Sequence, residues 1–143
     1  MECRQTSCVA QIRTLQAVVA ILALVPITAG LVGALFGIGI FEHAEALGHE
    51  IDSAGRYLSG LLLAVGLSFW GTIPRIESQG LRFRLLTLLV FIGGLARLWG
   101  IVLVGAPSSA MLGGLMMELV VTPGLALWRE RLDRLCNGDE RIP

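Results

Sequence analysis

Hydrophobic residues fill four long stretches of this chain, and the polar residues are concentrated between them. Each stretch is too long for a strand or an ordinary core helix, and its length suits the ~20 residues that a helix needs to cross a ~30 Å hydrocarbon core. We therefore predict an all-α, polytopic membrane protein whose four transmembrane helices pack as one bundle. The predicted parts are an N-terminal arm (1–13), spans at 14–41, 57–73, 85–105 and 108–128, and a C-terminal tail (129–143).

The distribution of arginine predicts the orientation of the spans. Nine arginines lie in the arm, in the loop between the second and third spans and in the tail, whereas Arg56 alone lies in the loops on the other side. Because positive charge accumulates on the cytoplasmic side, both termini are predicted to be cytoplasmic, in a bacterial inner membrane. Cytoplasmic termini in turn predict free thiols at Cys3, Cys8 and Cys136 rather than a disulfide. A cleaved signal peptide is the alternative for the first span, but the apolar stretch exceeds the core of such a peptide.

Composition agrees with a lipid-embedded chain. Hydrophobic residues make up 55% of it, charged residues only 15%, and the mean hydropathy is +0.75. The formal net charge is zero, so there is no electrostatic basis for binding nucleic acid. The bilayer itself is the expected partner, with other membrane subunits docking through helix faces.

Arg97 and Glu118 are the two charges that interrupt the last two spans. The midpoint between them falls at the Ala106–Ser108 turn, so an antiparallel hairpin brings both to the same depth, ~16 Å from the turn at ~1.5 Å per residue. A lone charge near the centre of the bilayer costs roughly 2.5–3.5 kcal/mol, which favours a partner. We predict a buried ion pair, either as a structural clamp between the two helices or as the polar centre of a binding site.

Further polar residues lie at the two ends of the predicted spans. Asp52 and Arg56 are spaced i,i+4 at the outer end of span two, with Tyr57 as a possible interfacial anchor and Asp52 or Ser53 as a helix cap. We include these residues in the candidate site with Arg97. On the cytoplasmic surface, contacts with lipid head groups or a partner are predicted for Arg75, Glu77, Arg82 and Arg84.

Small residues recur at helical spacing in all four spans and predict close helix packing. The predicted stripes are Gly30, Gly33 and Gly37; Gly60, Ala64 and Ser68; Gly93, Ala96, Arg97 and Gly100; and Ala110, Gly114, Glu118 and Val121. Kinks are predicted at Pro26 and Pro123. The tail is predicted to begin as an amphipathic helix with Trp128, Leu132 and Leu135 on one side and the pairs Arg129–Asp133 and Glu130–Arg134 on the other.

Catalytic and metal-binding signals are weak. His43, Glu45, His49 and Glu50 contain ligand types that zinc uses, but their spacing fits no standard zinc motif, so a solvated acidic loop is the preferred interpretation. Both histidines fall in one loop and every cysteine lies near an end of the chain, so neither a catalytic constellation nor a cofactor site is predicted. We expect a protein that is not an enzyme.

Several short motifs stand out along the last three spans and their loops. They are Asp52-x-x-x-Arg56-Tyr57-Leu58, Ile73-Pro74-Arg75-Ile76-Glu77, Gly93-Gly94-Leu95-Ala96-Arg97, Gly105-Ala106-Pro107 and Glu118-Leu119-x-x-Thr122-Pro123, with Trp70 and Trp128. In these motifs the chain resembles a family of small bacterial four-span membrane proteins known only as a domain of unknown function. The resemblance covers more than half of the chain but leaves out the acidic loop from Glu42 to Glu50. It implies a four-helix integral membrane protein and carries no activity.

Two functions remain open after the sequence is considered alone. The leading hypothesis is a non-catalytic subunit or assembly factor of a membrane complex, in which Arg97 and Glu118 fix the bundle. The alternative is a small transporter or a membrane protein that binds a small molecule or lipid, with Arg97 and Glu118 as its polar centre. A membrane enzyme acting on a lipid or quinone is a third reading, but it lacks a visible nucleophile or redox ligand.

Overall fold

Helices account for nearly all of the chain that the structure describes. The computed structural model describes residues 2–37, 39 and 48–137, with side chains from residue 8 to residue 136 of these ranges. The elements are α1 (Glu2–Phe36), α2 (His49–Thr72), a 3-10 turn (Ile73–Arg75), α3 (Gly80–Val104), α4 (Ser109–Met116), a π-helical segment (Met117–Val121) and α5 (Thr122–Asn137). No strand occurs within these ranges, so the described chain is all-α.

Four helical segments are long and apolar enough to cross a membrane, which indicates a multi-pass membrane protein. They are Cys8–Phe36, His49–Arg75, Gly80–Val104 and Ser109–Cys136. Most of their large apolar side chains are exposed, for example Leu81, Val102 and Val104. In water such a surface would drive aggregation, whereas in lipid it is the ordinary outer face of a helix.

The helix ends differ from the predicted span limits because polar residues extend the helices. α1 begins at Glu2, so most of the predicted N-terminal arm is helical, and it ends at Phe36, where Gly37 adopts φ +80°. Asp52 and Ser53 do not cap α2, because α2 begins at His49 after Gly48. Pro26 lies within α1, which continues past it without a break.

The chain divides into two compact units, which are described separately. The first unit contains the beginning of α1, up to Gln16, together with residues 74–143. Its buried apolar side chains are Leu15, Ile76, Phe83, Leu86, Leu115 and Leu132. On α3 the buried positions Phe83, Leu86, Thr87 and Gly94 recur at helical spacing, which defines the inner face of this helix.

The second unit, residues 17–73, is a pair of helices that approach each other closely at two glycines. A Cβ atom on Gly30 would lie 2.7 Å from the carbonyl oxygen of Ser59, and one on Gly66 would lie 2.8 Å from Cγ1 of Ile27. The predicted stripe of α2 is therefore wrong at Gly60, which has open space around it. Gly66 takes its place as the contact glycine of α2.

Candidate functional site

The hairpin of α3, α4 and the π-helical segment brings Arg97 and Glu118 together. The Nη2 atom of Arg97 lies 3.1 Å from Oε1 of Glu118, and Nη1 of Arg97 donates to the sulfur of Met111 at 3.5 Å. The Glu118 side chain is 19% exposed and that of Arg97 is 36% exposed. Oε2 of Glu118 is buried and has no hydrogen-bond partner in the described chain. The pair therefore neutralises its charges but leaves hydrogen-bonding capacity unused on both side chains.

Two glycines make room for this ion pair. Gly94 lies one turn before Arg97, and a Cβ atom there would lie 2.9 Å from Cβ of Glu118 and 2.8 Å from Cδ2 of Leu119. Gly114 lies one turn before Glu118, and a Cβ atom there would lie 3.0 Å from Nη1 of Arg97. Each charged side chain thus crosses a glycine of the other helix, which lets the two backbones approach.

Gly94 is the packing glycine of α3, and the predicted use of Gly93 for this contact is wrong. Nothing lies within 4 Å of a Cβ atom built on Gly93. The face that packs against Glu118 continues the buried positions Phe83, Thr87 and Gly94, and Gly93 is turned about 100° away from Gly94.

The π-helical segment that contains Glu118 is explained by Pro123. Proline has no N–H to donate and clashes with the preceding turn of an α-helix. The helix widens over Met117–Val121 before this residue, and both the N–H and the hydroxyl of Thr122 donate to the carbonyl of Met117, the hydroxyl at 2.8 Å. Such a widened turn changes which side chains face the neighbouring helix, and it is common at functional positions.

Asp52 and Arg56 form an ion pair that also caps α1. Nε of Arg56 donates to Oδ2 of Asp52 at 2.8 Å, while its Nη1 donates to the carbonyl of Leu35 at 2.8 Å and to that of Ala34 at 3.1 Å. These carbonyls belong to the last turn of α1, which has no helical N–H partners of its own. A side chain on Gly37 would collide with both members of the pair. This arrangement gives the Asp-x-x-x-Arg motif a structural role.

Tyr57, another predicted site residue, follows Arg56 directly on α2. It is 68% exposed. Arg97 and Glu118 belong to the first unit and Asp52, Arg56 and Tyr57 to the second, so the joint five-residue site stays a prediction. Arg75 and Arg82 are exposed, while Nε of Arg84 lies 2.7 Å from Oε1 of Glu130 on α5. The tail pair Glu130–Arg134 is accordingly replaced by Arg84–Glu130.

Arg129, predicted to pair with Asp133 on the side of the tail helix opposite Trp128, is buried and donates to backbone carbonyls. It is 6% exposed. Its Nε donates to the carbonyl of Ile76 at 2.9 Å and its Nη2 to the carbonyl of Glu77 at 2.6 Å. Gly80 completes the site, because any Cβ there would overlap the guanidinium. The Ile-Pro-x-Ile-Glu motif thus forms the loop that this arginine holds through its backbone. Leu135, predicted to share a helix side with Trp128 and Leu132, is exposed.

Cys8 and Cys136 form a disulfide with their Cα atoms 6.1 Å apart. The structure contains the oxidised form of this pair, so the predicted free thiols are wrong for the state that the structure records. The packing around it explains the approach, because Ile12 and Leu15 of α1 line a cavity of about 100 Å³ together with Leu132 and Cys136 of α5. The beginning of α1 and the end of α5 therefore lie at the same end of the first unit.

Neither of two cavities in the first unit contains the Arg97–Glu118 pair. One is the cavity of about 100 Å³ beside the disulfide, and the other, of about 280 Å³, lies open between α3 and α5. Among the described residues, no group of three His, Cys, Asp or Glu side chains is placed to hold a metal ion. Of the four residues considered as zinc ligands, His43 and Glu45 lie outside the described residues.

Comparison with known proteins identifies a family without assigning an activity. No curated protein and no solved structure matches the chain. A family model described as a domain of unknown function, DUF4345, matches residues 14–129. This match covers the Arg56 cap, the Arg97–Glu118 pair and the Arg129 loop contact. The chain therefore belongs to the DUF4345 family of domains of unknown function.

Proposed function

We propose that this chain is a non-catalytic subunit or assembly factor of a membrane complex in the bacterial inner membrane, with both termini in the cytoplasm. The partial exposure of Arg97 carries the proposal. Its side chain remains 36% exposed although it lies within the apolar helix α3, two turns before the end of that helix at Val104. Exposure of a charge to acyl chains costs roughly 2.5–3.5 kcal/mol, so coverage by another protein surface is favoured.

The surface of α3 beside Arg97 is suited to packing against a helix of another protein. Gly93 and Gly100 have nothing within 4 Å of a built Cβ atom, and Ala96 between them is exposed. Helices in lipid associate through small residues, because close backbone approach provides the packing that lipid cannot. The open face of Gly93, Ala96 and Gly100, next to a cation with unused donors, favours a transmembrane helix that presents a polar acceptor to Arg97.

The short connections between helices also support association with other membrane proteins through helix faces. The described connection between α3 and α4 is only the segment 105–108, and that between the 3-10 turn and α3 is the segment 76–79. Exposed helix faces therefore form most of the surface. The arginine distribution supports cytoplasmic termini.

Affinity purification in mild detergent tests this proposal when it is combined with paired glycine variants. Gly93→Leu blocks the open face of α3, and Gly113→Leu is the matched control because Gly113 also has open space around it. We expect wild type and Gly113→Leu to recover the same stoichiometric partner and Gly93→Leu to lose it, with equal melting temperatures for all three chains. Recovery of wild type alone, or of a partner that Gly93→Leu retains, would contradict the proposal.

A second function is favoured by the orphaned oxygen of Glu118. Oε2 is buried without a partner in the described chain, so a proton or the donor of a small ligand would satisfy it. In a small transporter, Glu118→Gln would abolish proton-coupled uptake while the chain remained folded and complex assembly normal. In the subunit proposal, loss of the Arg97 pair lowers stability and assembly together.

A further inference from the structure

An open apolar groove runs between α3 and α5. Its volume is about 280 Å³, and both helices contribute its lining: Arg84, Thr87, Leu88, Phe91, Pro123 and Ala126. The α3 residues are spaced i, i+3, i+4 and i+7, so they form one helix face, and the two α5 residues are spaced i, i+3. The single methyl group of Ala126 and the compact ring of Pro123 leave the space that larger side chains on α5 would fill.

One end of this α3–α5 groove is cationic. Arg84 lies one turn after the start of α3 at Gly80, which also begins a segment long and apolar enough to cross a membrane. Among the described residues, only its Nε is engaged, by Glu130 at 2.7 Å, and the side chain is 59% exposed. A guanidinium has five N–H donors, so the others are available to a further acceptor. An acyl chain does not use such donors, whereas a phosphate does.

A buried polar group also lines the groove. Thr87 is 8% exposed, and its hydroxyl oxygen is buried without a hydrogen-bond partner in the described chain. It lies one turn beyond Arg84, and Leu88 and Phe91 extend the apolar lining from there. The order of groups along the groove is therefore cation, hydroxyl and apolar wall. A phospholipid presents phosphate, ester and acyl chain in that same order.

We propose that this groove binds one anionic phospholipid. The phosphate contacts Arg84, the ester region lies at Thr87, and one acyl chain follows Leu88 and Phe91 towards Pro123. A free phosphate would leave the apolar wall uncovered. In a zwitterionic lipid such as phosphatidylcholine the choline cation offsets the charge of the phosphate, so an anionic lipid is the better partner for the guanidinium. The proposal shares with the proposed function only the location in a membrane, and it needs no protein partner.

Native mass spectrometry in mild detergent tests the cationic end. The probes are phosphatidylglycerol and phosphatidylcholine with identical acyl chains. We expect wild type to retain one phosphatidylglycerol with about fivefold preference, the effect expected of one arginine at an anionic surface. Arg84→Gln removes this preference, whereas the matched exposed variant Arg131→Gln keeps it. Equal retention of the two lipids by wild type, or an unchanged preference in Arg84→Gln, would overturn the proposal.

Glu130→Gln separates lipid binding from the loss of an ion pair. This variant breaks the same contact as Arg84→Gln but leaves the guanidinium free. We expect retention equal to or above wild type, and a loss equal to that of Arg84→Gln would show that the ion pair alone matters and overturn the proposal.

Variants that fill the groove test the proposed position of the acyl chain. Ala126→Phe occupies the space on α5, and Ala96→Phe adds the same side chain to an exposed position of α3 outside the groove. We expect Ala126→Phe to lose at least fivefold of the retained phosphatidylglycerol and Ala96→Phe to lose none. Displacement of the lipid by millimolar inorganic phosphate would point to an ion site and contradict the proposal. Partner recovery with Gly93→Leu tests the proposed function and lipid retention tests the groove. The two measurements are independent, so failure of one proposal does not affect the other.

Discussion

Arg97 on α3 and Glu118 in the π-helical segment form an ion pair in which each side chain crosses a glycine of the other helix. The distance from Nη2 of Arg97 to Oε1 of Glu118 is 3.1 Å. Gly94 faces Glu118 and Gly114 faces Arg97, and no side chain larger than hydrogen fits at Gly94 without displacement of its neighbours. Close backbone approach and charge pairing therefore depend on each other here.

Removal of Glu118 is predicted to be more damaging than removal of Arg97. Glu118→Gln leaves a guanidinium that cannot lose its proton. Breaking a fully buried pair in this way costs ~3–5 kcal/mol, and because Arg97 is 36% exposed we expect a loss at the lower end of that range. Arg97→Gln leaves a carboxylate that can take up a proton and become neutral, so we expect a smaller loss of ~1–3 kcal/mol. Melting temperatures in mild detergent measure the difference. Equal losses in the two variants would contradict this assignment of charges.

Neighbouring glycines on α3 are predicted to respond in opposite ways to alanine. Gly94→Ala forces Leu119 and Glu118 to move and should cost ~1–3 kcal/mol, as overpacking does. Gly93→Ala adds a methyl group to open space and should be neutral or stabilising by up to ~1 kcal/mol, because alanine favours a helix. The same denaturation assay compares both variants. A neutral Gly94→Ala would mean that the helices are further apart than the structure shows.

Arg129 is predicted to matter for folding, whereas its neighbour Arg131 is not. Arg129→Gln leaves the carbonyls of Ile76 and Glu77 without their charged donor, a loss of ~1.5–3 kcal/mol. Arg131 is exposed, so Arg131→Gln should change stability by less than ~0.5 kcal/mol. Limited proteolysis within 74–79 provides a local readout, and we expect faster cleavage only in Arg129→Gln. Equal protection of the two variants would exclude this role.

The Cys8–Cys136 pair provides a test of orientation. Cytoplasmic termini lie in a reducing compartment, so we expect two free thiols in growing cells and rapid disulfide formation after a membrane-permeant oxidant is added. Alkylation with a maleimide polymer followed by non-reducing electrophoresis measures both states. A Cys8→Ser variant is the control, since it cannot form this bond. A fully formed disulfide in untreated cells would place the termini on the oxidising side and contradict the proposed orientation.

The sequence predicted correctly those features that depend on residue spacing within one helix or on a single turn between two helices. The four long apolar segments are recognised by length and composition. Arg97 and Glu118 could be paired because the Gly105–Ser108 turn lies midway between them, so hairpin geometry alone fixes their common depth. The Asp52–Arg56 pair followed from i,i+4 spacing in a helix.

The features that were missed depend on contacts between distant parts of the chain. In the sequence, Arg129 looks like the other arginines of the tail. It donates to the backbone carbonyls of Ile76 and Glu77, and the identity of those side chains does not predict a contact made by their backbone. Arg56 likewise caps carbonyls of α1 that belong to Ala34 and Leu35. Gly94 could not be chosen over Gly93, because the choice depends on which turn of the neighbouring helix widens before Pro123.

The pairing of Arg97 with Glu118 is the central claim, and charge reversal tests it most directly. The single variants Arg97→Glu and Glu118→Arg each place two like charges together, whereas the double variant restores an opposite pair in reversed order. Melting temperature in mild detergent should fall in each single variant and recover in the double variant by at least half of the summed loss. A double variant whose loss equals the sum of the two single losses would show that these charges do not interact.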